Sequence, residues 1–227
     1  LSRRDCIMAT INVNRQGSGT GIANGTFATA RSNAASSVSD GASGTFTVQY
    51  FKGRTKRFKR AFLHFDTSGI TGTLSAAHID INGGDGSSDP DPNDTIMVKS
   101  TAFGGDGGTA LATSDHFSSL DYSTAYSDEL TTWSTGNNEY TLTAAALADI
   151  KNNDHFTLAV IDHDNDYANS DATATSDIRI DFNTTITLDF TLAATGYSHD
   201  VIGVAAASIG KVNSVATASI GKINSVD

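Results

Sequence analysis

Apolar and polar positions alternate with a period of two over much of this chain. Phe46, Val48 and Tyr50 alternate with Thr and Gln, and Ala61, Leu63 and Phe65 alternate with Phe62, His64 and Asp66. The pattern returns at Ala77, Ile79 and Ile81, and at Phe156, Leu158 and Val160. It returns again at Ile178, Ile180 and Phe182, and at Ile186, Leu188 and Phe190. Successive side chains of a strand point to opposite faces, so these segments predict half-buried strands of antiparallel sheets. One stretch departs from the pattern. Thr143 can cap a helix over residues 144–151, with Leu147 and Ile150 on one face and Asn152-Asn153 ending it. Polar stretches such as GGDGSSDPDPND (residues 83–94) and GGDGG (residues 104–108) separate the strands. The expected fold is all-β: a jelly-roll β-sandwich with one short helix, followed by a short C-terminal repeat tail.

The tail repeats itself. VAAASIGKVNS at residues 204–214 is followed at once by VATASIGKINS at residues 215–225, with nine of eleven positions identical. Ile209, Val212, Val215, Ile220, Ile223 and Val226 are spaced 3-3-5-3-3. On a helix they lie within roughly 140° of arc, and an eleven-residue period drifts little. Gly210, Gly221, Asn213, Asn224 and the β-branched residues favour instead an extended segment that bends at Gly-Lys and Asn-Ser. In neither form can so short a segment bury these side chains alone. Tandem units stack on copies of themselves or on a partner, so the six residues are expected to serve assembly. The chain then divides into an N-terminal arm (1–16), a sandwich (17–192) and a linker with repeat tail (193–227). Residues 1–7 precede Met8-Ala9-Thr10, which reads as an ordinary start, and are expected to lie outside the native one.

Composition narrows the classes. Of 227 residues 38% are hydrophobic, and Gly numbers 21 against 2 Pro, which suits short strands joined by tight turns. No apolar run approaches membrane-spanning length. The single Cys6 allows no disulfide within the chain. Net charge is −10, but residues 1–60 carry +8 and residues 61–227 carry −18. Six cations crowd into FKGRTKRFKR: Lys52, Arg54, Lys56, Arg57, Lys59 and Arg60. Such a cluster either protects an edge strand against unwanted pairing or contacts an acidic surface: that of a larger assembly, a neighbouring copy or an anionic glycan. An acidic chain with one basic strand end is not a specific nucleic-acid binder.

Candidate chemistry is sparse. Asp162, Asp164 and Asp166 resemble the first half of an EF-hand loop, but Tyr167 and Thr173 stand where Gly and Glu belong. A looser calcium site, with Asp171, competes with a solvated acidic loop, and the same holds for Asp85, Asp89, Asp91 and Asp94. The six histidines show no zinc spacing, and no nucleophile elbow is present. Gly17, Gly19 and Gly21 precede no helix and are expected to form a loop. No enzyme and no cofactor are expected. Trp133, with Tyr122, Tyr126 and Tyr140 near it in sequence, is either a buried packing residue or a glycan platform.

Residues 60–81, RAFLHFDTSGITGTLSAAHIDI, resemble the DNRLRE domains. The matching residues are Arg60, Leu63, Phe65, Asp66, Ile70, Leu74, Ala77 and Ile79, and EYTLTAAALADIKNNDHFTLAVIDHD resembles the strand–helix–strand further on. That architecture occurs in carbohydrate-binding modules and in virion proteins of tailed bacteriophages, and the latter end in repeats similar to this tail. The resemblance implies a non-enzymatic virion protein, a capsid decoration or a head or tail fibre, with the sandwich outward. It also implies homo-oligomers, as trimers, together with other virion proteins and surface glycans as partners. The alternative is a secreted carbohydrate-binding module or cell-surface adhesion protein, which would need a signal peptide.

Overall fold

A computed structural model describes residues 7–24, 26–41, 43–85, 94–171, 178–193, 211–212 and 215–216. In chain order the strands of the first half are β1 (Ile7–Asn12), β2 (Arg15–Asn24), β3 (Ser37–Asp40), β4 (Thr45–Phe51), β5 (Thr55–Asp66), β6 (Leu74–Asn82) and β7 (Thr95–Ser100). Then follow β8 (Leu120–Ala125), β9 (Asn137–Thr141), β10 (His155–Asp162), β11 (Ile178–Asp181) and β12 (Thr187–Leu192), and in the tail β13 (Lys211–Val212) and β14 (Val215–Ala216). The helices are α1 (Phe27–Ser32), α2 (Asp115–Ser118) and α3 (Ala144–Asn152).

The strands form two antiparallel sheets. The small one runs β1-β12-β6-β9, and the large one runs β11-β4-β5-β10-β7-β8, with β2 also on β5 and β3 on β2. The alternating residues close the space between them: Leu63, Phe65, Ile79, Leu158, Ile180 and Leu188 share one core. This is the expected β-sandwich. Burial of these apolar side chains is its main driving force. A second cluster lies on the other face of the large sheet, where Phe62, Val98 and Ile161 pack under Phe103 and Leu111. That second layer explains why β5 reads as apolar on both faces around Ala61-Phe62-Leu63.

The expected helix forms as α3, with the Thr143 hydroxyl accepting from the Ala146 N–H. α1, α2 and a π-helical turn at His163–Tyr167 are additional. They are too short for a helical period to show in sequence.

Two expectations change. The N-terminal arm is not an arm from Ile7 onward: β1 pairs with β12 along its whole length, from Ile7–Leu192 to Asn12–Thr187. Nor do Gly17, Gly19 and Gly21 form a loop, since all three lie in β2 and pair with Phe62, Arg60 and Phe58 of β5. Their missing side chains make room for a layer on top. A Cβ on Gly17 would lie 2.9 Å from Leu111, one on Gly19 2.8 Å from His116, and one on Gly21 2.6 Å from the same ring.

β5 holds the large sheet together. β2 follows one of its edges through ten paired positions, from Arg15–His64 to Asn24–Thr55. The other edge is shared: β4 pairs with Arg57, Phe58 and Lys59, and β10 pairs with Ala61 to Asp66. The sheet therefore forks at Arg60, with β4 and β11 turning to wall one end of the core.

Gly21→Ala should lower stability by about 1–3 kcal/mol in urea unfolding, because the added methyl meets an immobile ring. Gly69→Ala, made where there is open space, is the control, and equal effects would contradict this packing.

Candidate functional site

The cationic cluster occupies the N-terminal end of β5 and the turn before it, and the structure divides it. Lys52 and Arg54 are exposed in the turn, Lys56, Arg57 and Lys59 are half-buried on the strand, and Arg60 is fully buried. Lys56 and Lys52 hold the Asp171 loop: Lys56 Nζ lies 3.1 Å from Asp171 Oδ2, and Lys52 Nζ donates to the Asp171 carbonyl at 2.6 Å. The Tyr50 hydroxyl donates to the Asp171 carboxylate from the other side. Burial first, and then that hydrogen bond, push the Tyr50 phenol well above its usual range. Arg57 lies over the Phe51 ring at 5.5 Å.

Arg60 does not belong to a contact surface. Its Nε donates to Asp166 Oδ2 at 2.6 Å and its Nη2 to Asp166 Oδ1 at 2.9 Å, a bidentate pair. Nη1 donates to the His116 carbonyl and meets His116 Nδ1 at 3.0 Å, and Nη2 also reaches the Arg31 carbonyl at 3.0 Å. Asp166 accepts in turn from the Tyr122 hydroxyl at 2.9 Å. Arg31 donates from Nε to the Asp166 carbonyl at 2.7 Å and lies over the Tyr122 ring at 3.9 Å. Burial, the largest single influence, would lower the Arg60 pKa, but attraction to Asp166 and Tyr122 together with the Asp166 hydrogen bond raises the value. Desolvation also pushes the Tyr122 phenol up, helped by the Asp166 charge. His116 is pushed down to about 3, by burial and then by the Arg60 guanidinium, and so stays neutral.

The acidic triplet disperses. Asp166 belongs to Arg60. Asp162 Oδ1 accepts from the backbone of Asn165 at 2.7 Å and of Asp166 at 3.3 Å, which starts the π-helical turn. Only Asp164 remains near the surface, so the three carboxylates form no calcium loop. The structure instead gathers Asp164 with two residues that no sequence spacing singles out. His163 Nδ1 lies 3.1 Å from Asp164 Oδ1 and 3.2 Å from Glu129 Oε1. A hydrogen bond with Asp94, then burial, raise the Glu129 pKa. A second group stands on the outer face of the small sheet, where His78 Nε2 is 3.9 Å from Asp80 Oδ2 and 4.0 Å from both Glu139 Oε2 and Asp189 Oδ2. Among the described residues, Glu129, His163 and Asp164, and likewise His78, Asp80 and Asp189, are the groups whose ligand atoms lie close enough to share a cation.

The aromatic candidates go inside. Trp133 is 7% exposed, its ring 6.4 Å from Tyr140, and Tyr126 and Tyr140 are buried as well. Of the assembly residues only the backbones of Val212 and Val215 are described, and they pair with each other. Ile209, Ile220, Ile223 and Val226 lie outside the described residues. The fold and this site define a β-sandwich with a cationic sheet end anchored by a buried ion pair. No protein-family model matches the chain, and no curated protein matches it either.

His116 generates a pH dependence. Its folded pKa of about 3 is below the ordinary 6.5, so the unfolded chain binds an extra proton between those values. Stability is fully present above pH 6.5 and falls as the pH drops below it, by about 2 kcal/mol from this group by pH 5. In denaturant titrations His116→Gln should flatten the slope of stability against pH between 5 and 6.5. An unchanged slope would show that His116 does not carry it.

Proposed function

We propose that this protein is a non-enzymatic structural component of a tailed-bacteriophage virion, a capsid decoration or a head or tail fibre. In this reading the sandwich faces outward, and the C-terminal repeats join copies to one another, as trimers, and to the particle. The observation that carries the reading is the tail. Val212 pairs with Val215 and Lys211 with Ala216 in an antiparallel ladder of its own, separate from both sheets of the sandwich. The paired residues straddle the junction of the two repeat units, so the extended form of the tail is the one this ladder supports. A two-stranded ribbon is marginal alone and gains stability by stacking on further strands.

The carbohydrate-binding alternative loses the aromatic platform that Trp133 would have supplied. What favours it is a groove where Ser18, Thr20, Ser39, Thr45, Thr47 and Lys59 line one surface, a donor-rich wall suited to a polyhydroxylated ligand.

Deleting residues 202–227 should leave a folded sandwich with an unchanged melting transition that no longer assembles, as read by sedimentation velocity. A truncated chain that still forms the full oligomer would refute the assembly role.

A further inference from the structure

Three large apolar side chains are exposed among the described residues: Met8 at 76%, Ile22 at 42% and Phe51 at 38%. They fall on two surfaces of opposite charge. Arg57 pairs across β5 with Ile22 on one side and with Phe51 on the other. The three side chains therefore stand in one cross-strand row on the same face. Lys59 follows on that face, and the exposed Lys52 and Arg54 stand in the adjoining turn. This tip combines an arginine stacked on an aromatic ring with a flanking aliphatic residue and cations at the rim, the composition of an interface centre.

The second surface is the outer face of the small sheet. Asp80 stands directly opposite Glu139, and Asp189 directly opposite His78. Like charges in register repel. The outward positions of β1, β12, β6 and β9 are otherwise Met, Thr, Asn and Ala, without a Lys or Arg among the described residues. Met8 stands exposed on edge strand β1 of the same sheet. Each surface also holds a buried polar atom without a hydrogen-bond partner among the described residues, Arg57 Nε at the tip and Asp80 Oδ1 on the sheet face.

We infer that copies of this chain join head to tail, the Ile22–Arg57–Phe51 tip of one docking on the Asp80–Glu139–Asp189 face of the next. The occupant is a second copy because each chain carries both halves: a cationic patch with two exposed apolar side chains, and an acidic patch without Lys or Arg among the described residues with the third. Two different patches meet, so the contact is heterologous and propagates into a ring or a filament. Charge complementarity of this kind steers encounter and fixes register, and salt weakens it. The inference deepens the assembly reading but rests on the sandwich and not on the repeats.

The test is zero-length carbodiimide cross-linking of full-length protein, made as an equal mixture of isotope-labelled and unlabelled chains. Mixed-label links should join peptides containing Lys52, Lys56 or Lys59 to peptides containing Asp80, Glu139 or Asp189. Arg54→Glu with Arg57→Glu in one variant, and Asp80→Asn with Glu139→Lys in another, should each cut that yield about tenfold, although cross-linkable groups remain. Mixing the two variants should restore the links in one direction only, from the lysines of the second to the carboxylates of the first, which also shows that both are folded. Wild-type links running only tip to tip, or undiminished yield in either variant, overturn the inference. If these links are absent while deletion of residues 202–227 still abolishes assembly, the assembly reading stands and this one falls.

Discussion

A guanidinium sealed from water must have its donors and its charge satisfied by protein, and in this molecule that requirement organises everything around Arg60. An unpaired charge in such a place costs several kcal/mol, so the residue is tolerated only with Asp166 in bidentate contact and the Arg31 carbonyl, the His116 carbonyl and His116 Nδ1 on the remaining N–H groups. Those partners come from distant parts of the chain. The Arg31 carbonyl comes from α1, His116 from α2, and Asp166 from the π-helical turn that continues β10. Tyr122 of β8 closes the network through Asp166. Arg60 also sits where β5 changes partner from β4 to β10. The ion pair thus fastens the short helices over the fork that they cover, and the glycine face of β2 exists to admit His116 beside it.

The same strand shows how one run of cations takes on two roles. Phe58, Arg60 and Phe62 point to the covered face, so the charge among them must be neutralised internally. Arg57 and Lys59 point to the opposite face. Where β5 passes under the small sheet that face is core, through Ala61, Leu63 and Phe65, but towards the turn it is half-exposed. Register decides which cations are sealed inside and which stand half-exposed. That surplus of positive charge at one end, beside a strongly acidic remainder, is the charge complementarity on which the inferred contact between copies rests.

Much of the fold was legible because it rests on periodicity. The alternation at Leu63–Phe65, Ile79–Ile81 and Leu188–Phe190 is the inner face of the sandwich, and Thr143 capped the helix it was expected to cap. β2 was not legible, because its alternation is one of glycines against polar residues and carries no apolar signal. Its meaning appears only once His116 and Leu111 are seen lying on it. The site was half legible. The crowding of Lys52 to Arg60 was plain, but nothing local distinguishes Arg60 from Lys59. The difference lies in a carboxylate 106 residues away. For the same reason the Asp162-Asp164-Asp166 spacing misled. Alternate carboxylates on a loop look alike in sequence, whereas here one caps a turn, one faces solvent and one neutralises an arginine. Glu129 and Glu139 gave no signal, since their partners arrive from distant segments, the π-helical turn for Glu129 and β6 for Glu139.

A double-mutant cycle in equilibrium unfolding reads the Arg60–Asp166 pair directly. Arg60→Leu and Asp166→Leu should each cost about 3–5 kcal/mol, because each strands a buried charge. The double variant should cost much less than their sum, with a coupling of at least about 2 kcal/mol. Additive effects, or a loss below about 1 kcal/mol in Arg60→Leu, would contradict the claim that this pair holds the fork of the large sheet together.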